Sequence, residues 1–148
     1  MLFRSVRTYL QSGNIVLSTS VGPDALAETV TRVIASEFGL DIAIVVRSRD
    51  ELAEVIGRNP LGEVVTDPKR YQVSFLAAEL GTEVVEELER LAVEGEQLVA
   101  SGRELYAWHP AGIARSRMWN AIASPRLPVT STARNWSTTT SLLALADE

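Results

Sequence analysis

The chain has 148 residues, a formal charge of −5, 46% hydrophobic and 22% charged residues, a profile that fits a globular protein of one compact domain or two small halves. It has no cysteine and a single histidine, His109, which excludes disulfides, thiol nucleophiles, zinc–thiolate sites and His-rich metal centres. No apolar run approaches the roughly 18 residues of a membrane span, no signal peptide is visible, and the negative balance argues against nucleic acid as a partner; a cytoplasmic location away from membranes is expected.

In chain order, Val6–Gln11 and Ile15–Thr19 read as a hairpin, with Ser12-Gly13-Asn14 supplying the residues a tight turn needs. Gly22-Pro23-Asp24 opens a helix whose Leu26, Val30, Val33, Ile34 and Phe38 recur at helical spacing, and Gly39 closes it. Ile42–Arg47 reads as a short buried strand. Ser48-Arg49-Asp50-Glu51 fits a capping box, with a helix to about Arg58 that Asn59-Pro60 stops. After a connection over residues 60–69 come a strand at Tyr71–Ala78, a helix capped by Thr82 and ended by Gly95, and a hairpin of Gln97–Ala100 and Glu104–His109. A helix over Ile113–Ala123, a strand at Val129–Arg134 and a last helix over Trp136–Ala146 complete the chain.

The second half, residues 70–148, therefore has the order β-α-β-β-α-β plus a helix, the split β-α-β pattern of a ferredoxin-like fold. The first half, residues 1–59, repeats that order without its initial strand and helix. The expectation is an α+β protein of two ferredoxin-like halves, the first incomplete, with a sheet edge left open for another strand or for a second copy in a homodimer. Leu2-Phe3-Arg4-Ser5 is also the translation of the end of a common sequencing adapter, which agrees with a truncated first half.

Two groups of residues are candidates for binding. Arg115, Ser116, Arg117 and Asn120 lie at the start of one predicted helix, and Arg134, Asn135, Trp136, Ser137 and Thr138 at the start of another. Free N–H groups and the helix dipole favour an anion there, Arg offers bidentate reach to phosphate, and Trp136 could stack on a ring. The competing reading is Ser and Asn capping, solvated Arg and a core Trp. Gln11, Ser12 and Asn14 form a polar knot at the first turn that either contacts a ligand or only makes the turn. His109 is the one imidazole and Ser116 its nearest hydroxyl, but no Gly-x-Ser-x-Gly elbow surrounds it. Tyr71, Phe75, Tyr106 and Trp108 sit on strands, as core or as a stacking platform. No cofactor motif and no metal-ligand spacing occur. A small phosphorylated ligand is the expected partner, with a dimerisation module or an enzyme acting on a phosphorylated substrate as alternatives.

Val6-Arg7-Thr8-Tyr9-Leu10-Gln11-Ser12-Gly13-Asn14, Asp67-Pro68-Lys69-Arg70, Gly112-Ile113-Ala114-Arg115-Ser116 and Thr132-Ala133-Arg134-Asn135-Trp136 resemble, in order, the motifs of a bacterial family catalogued as domain of unknown function 1697. That resemblance implies two ferredoxin-like halves and no assigned reaction. Arg117 and Ser141 stand where members often carry Lys, so a function that needs those lysines is not implied.

Overall fold

The computed structural model describes residues 3–9, 13–42 and 44–147. Strands β1 (Phe3–Tyr9) and β2 (Asn14–Thr19) pair antiparallel, with Val6 opposite Leu17 and Tyr9 opposite Asn14. Helix α1 (Pro23–Phe38) follows, with Pro at its start and Gly39 in the left-handed conformation closing it. Helix α2 (Arg49–Arg58) carries the full capping box: the Ser48 side chain accepts the Glu51 N–H, and the Glu51 carboxylate accepts the Ser48 N–H.

A 3-10 turn at Pro68–Arg70, where Asp67 accepts the Lys69 N–H, leads into β3 (Tyr71–Leu76). Then come α3 (Thr82–Arg90), β4 (Gln97–Ser101), β5 (Glu104–Trp108), α4 (Arg117–Ile122), β6 (Ser131–Asn135) and α5 (Trp136–Ala146). The second half thus keeps the expected element order. Its strands form an antiparallel sheet in the order β4-β5-β3-β6, so the first strand of the half becomes its centre.

Both faces of this sheet are covered, and β3 is buried along its whole length. On one face Leu76, Leu105 and Ala107 pack with Leu88 of α3 and with Met118 and Ile122 of α4. On the other, Tyr71, Val73, Phe75, Tyr106 and Trp108 pack with Val55 of α2, Leu61 of the connection and Trp136 of α5. The aromatic strand residues are therefore core, and no stacking platform is exposed there. Tyr106 donates to the Val55 carbonyl at 2.8 Å and Tyr71 to Asn59 Oδ1 at 2.8 Å. Burial raises both phenols above their ordinary pKa, which keeps them protonated as donors.

One expected strand does not form. The described residues of the 41–48 segment are irregular and join no ladder, and Ile42 is exposed. A strand needs a hydrogen-bonding neighbour, and among the described residues β2 is paired with β1 alone. The segment is held by side chains instead, with Val45 packed on the aromatic cluster and Arg47 bound at the end of the sheet. Arg47, 7% exposed, places Nε 3.0 Å from Glu104 Oε2 and donates Nη2 to the carbonyls of Leu76 and Arg103, at 2.7 and 3.0 Å. Its guanidinium lies 5.7 Å over the Phe75 ring. Arg58 reaches the other oxygen of Glu104 at 2.6 Å, and Arg103 pairs with Glu51 at 2.7 Å. A carboxylate on the aromatic face of the sheet thus receives two cations from the chain that crosses it.

Glu104→Ala would leave Arg47 as a buried charge without its carboxylate, a class of change that costs about 3–5 kcal/mol. Urea denaturation should show a loss of that size. A loss no larger than that of an exposed control, Glu86→Ala, would show that the pair does not hold the segment.

Candidate functional site

The sheet register decides where the candidate residues lie. Gln72 of β3 is opposite Asn135 of β6, Tyr71 is opposite Trp108 of β5, and Trp108 is opposite Gln97 of β4. The chain therefore leaves β6 for α5 and leaves β5 for α4 at the same end of the sheet. The two candidate groups nevertheless separate by face. Arg134, opposite Val73, lies on the aromatic face, whereas Ser116 caps α4 on the face that packs α3 and α4.

On the aromatic side, Arg134 donates Nε to Asn14 Oδ1 at 2.6 Å, and Nη1 to Thr132 Oγ1 and the Ala133 carbonyl at 2.8 and 2.7 Å. Asn14, at the start of β2, is 8% exposed. The contact joins a residue of the first turn to one of the second candidate group, 120 positions apart. Burial lowers the pKa of Arg134, because the half-buried guanidinium has lost part of its hydration. Asn135 caps α5 by accepting the Thr138 N–H at 2.8 Å, and Thr139 donates its hydroxyl to the Asn135 carbonyl at 2.9 Å. Thr138 is buried. Trp136 stacks on Tyr71 with ring centroids 4.9 Å apart and packs on the core, so one face of the indole is taken. Gln11 and Ser12 lie outside the described residues.

On the other side, Arg115, Arg117 and Asn120 are exposed around the first turn of α4. Ser116 is 2% exposed and accepts the Trp119 N–H at 3.0 Å. It also donates to Glu96 Oε2 at 2.7 Å and lies 3.3 Å from His109 Nδ1. Glu96 Oε2 meets His109 Nδ1 as well, while its Oε1 accepts the Val93 N–H at 3.0 Å. Burial acts to raise the Glu96 carboxyl, and the hydrogen bonds from Val93, His109 and Ser116 outweigh it, holding the group below its ordinary value. His109 is fully buried, edge-on to Trp119 with centroids 5.6 Å apart, and its Nε2 has no partner among the described residues.

A Ser, a His and a Glu in contact invite comparison with a nucleophilic triad, but the connections differ. In a triad the imidazole stands between hydroxyl and carboxylate, one on each ring nitrogen. Here both groups meet Nδ1, and the serine gives its proton directly to the carboxylate. The trio ties the α3–β4 loop, the end of β5 and the start of α4 together, and its side chains are buried. Glu96 was not a candidate from sequence: its partners lie 13 and 20 positions away, with no motif joining them. The one local signal is Gly95. It has φ of 85°, and a Cβ there would stand 3.0 Å from Pro110 Cγ, so glycine at this position is what lets the loop bring Glu96 to His109.

A cleft of about 290 Å³ lies beside α2, lined by Arg47, Arg58, Arg103, Glu51, Glu54 and Glu104. Its three arginines are engaged by carboxylates, which leaves it no surplus of positive charge for an anion. A hollow of about 430 Å³ bounded by residues 123–131 holds no charged lining residue. Among the described residues, no three His, Cys, Asp or Glu side chains are grouped to hold a metal ion, and no helix is long and apolar enough to cross a membrane.

The family model described as "Protein of unknown function (DUF1697)" matches residues 1–106. The chain belongs to that family. The match takes in the first turn and the Asp67–Arg70 motif and ends within β5, ahead of the Arg134 and Ser116 groups. No curated protein and no solved structure matches the DUF1697 chain.

Two outcomes test the Glu96 cluster. A carboxyl held below its unfolded value of 4.5 contributes stability that is complete above that value and is lost as pH falls through the lower folded value. Glu96→Gln should therefore unfold at lower urea than the parent at pH 7, with the gap closing as the pH is taken down through 4.5; a gap independent of pH would contradict the assignment. Gly95→Ala should cost about 1–3 kcal/mol by forcing a side chain into the left-handed region, read as a lower thermal midpoint, and Gly81→Ala, which has open space around it, should cost less.

Proposed function

We propose that this DUF1697 chain is a cytoplasmic module that binds a small anionic ligand, a phosphate-bearing one above all, where the first turn meets the start of α5. The carrying observation is the hydrogen bond from Arg134 to Asn14. It joins residues from the two sequence candidate groups, and it does so beside the N-terminus of an eleven-residue helix. The planar, half-buried guanidinium of Arg134 has the geometry that suits a phosphate or carboxylate. The α5 start adds dipole and N–H groups of the same sense. Arg115, Arg117 and Asn120, on the opposite face, are a separate exposed group in this reading, and Trp136 serves as an anchor that fixes the α5 start against Tyr71.

The same reading divides the chain into an N-terminal half over residues 1–59, a connection over 60–69 and a C-terminal half over 70–148. The strand order β4-β5-β3-β6 with α3 and α4 on one face supports a ferredoxin-like C-terminal half. The hairpin–helix order of β1, β2 and α1 supports a partial copy of it in the first half.

Thermal shift with inorganic phosphate and with nucleoside monophosphates tests the proposal. At least one should raise the melting temperature progressively with concentration, as binding to the folded state requires. Arg134→Ala should abolish the rise and Arg134→Lys should retain part of it, because Lys keeps charge without the planar fork. No rise with any of these anions at millimolar concentration, or an equal rise in Arg134→Ala, would overturn it.

A further inference from the structure

The hairpin β1–β2 followed by α1 has the same order as the hairpin β4–β5 followed by α4, and the two environments differ in one respect. In the second half, β4 is the outer strand, β5 is paired on its far side by β3, and α4 lies beside α3. In the first half, β2 has the chain position of β5, yet among the described residues its ladder partners are those of β1. Helix α1 has the position of α4, yet of its apolar residues only Leu26 is buried, while Val33 is 51% and Phe38 71% exposed. Ile15 of β2, and Leu40 and Ile42 just after α1, are also exposed. Two-stranded sheets are marginal without a third strand or a packed face.

We infer that the open β2 edge and the bare face of α1 are an interface between two copies of this chain, related by a twofold axis normal to the hairpin. Three observations favour a second copy as occupant. The first is completeness: two copies together supply four strands and two helices on one side, the content of the sheet and its α3–α4 layer in the second half. The twofold sets β2 antiparallel to its equivalent, the sense in which β5 runs beside β3. The second is charge. Strand edges that avoid pairing carry Lys, Pro or inward charges, whereas Asn14–Thr19 reads NIVLST and brings no like charges together when it meets itself. The third is area. Five large side chains at about half exposure expose on the order of 400–500 Å² of apolar surface per copy. A standard interface takes about 800 Å² from each partner, of which about two-thirds is apolar in homodimers.

The test is made on the full chain. Light scattering at 5 to 500 μM (roughly the range over which weak homodimers form) should show the mass moving from one copy to two. Amide exchange at Val16, Leu17 and Ser18 should slow over the same range. Val33→Glu with Phe38→Glu changes two exposed positions, so the fold should survive, and it should hold the mass at one copy throughout. A single-copy mass at the highest concentration would overturn the inference, and so would a dimer that both substitutions leave intact. Exchange at β2 that is slow at every concentration would also overturn it, since this chain would then cover its own edge. A continuous ladder of larger species would replace the closed twofold contact with an open one and equally sink it.

Discussion

The carboxylate of Glu104 sits on the aromatic face of a sheet and is nearly inaccessible to water, and much of the molecule is arranged to make that tolerable. An ionised group in such a place is stable only when each oxygen is met by a charged donor. Arg47 and Arg58 provide those donors, and both come from the segment that crosses the sheet before β3 begins. Arg47 also meets the carbonyls of Leu76, where β3 ends, and of Arg103, just before β5 begins; the Arg103 carbonyl accepts the Leu76 N–H as well. The crossing segment is thus fixed by the side chains of Arg47 and Arg58, with Val45 packed on the aromatic cluster, and its backbone joins no ladder. The remaining contacts of that layer follow: α2 lies on Tyr106, Leu61 lies against the same aromatic cluster, and Arg49 of α2 reaches Asp147 past the end of α5.

The two faces of the sheet are built on different principles. The α3–α4 face is mainly aliphatic, with the buried polar residues Gln72 and Ser74 of β3 also on it, and at one end Glu96, His109 and Ser116 form a closed polar cluster. The opposite face is aromatic, and its polar groups are spread out, each phenol finding an acceptor on or beside α2. Buried polar groups must be satisfied either way. The first arrangement pins a loop and a helix start to a strand end, while the second pins a whole helix along a sheet. Among the described residues, the one buried side-chain atom left over is His109 Nε2.

Local chemistry was legible in the sequence where a feature is local. The Ser48–Glu51 box, the stop at Asn59-Pro60 and the Asn135 cap all involve partners within a few positions, and all stand near where the residues place them. Ile42–Arg47 misleads because an apolar run reports burial and β-propensity but says nothing of a neighbour, and a strand is defined by its neighbour. The Thr82 helix is led in by Gly81 with no side-chain cap, so a residue type suited to capping did not guarantee the bond. The contact at the candidate site, Arg134 with Asn14, and the buried cluster of Glu96 with His109 and Ser116 connect distant positions through polar atoms. Hydrophobic period carries no information about such pairs, and neither group could be assembled from one sequence alone.

The central place of β3 bears on how the molecule is made. It is flanked by β5, some thirty-five residues later, and by β6, which follows about sixty residues after it. A nascent chain emerging from the ribosome can therefore dock β5 early but must keep the far side of its middle strand unsatisfied until β6 has also been synthesised. Through that interval the exposed side of β3 is an adhesive surface, and what protects it during translation is a matter for whatever first meets the growing chain.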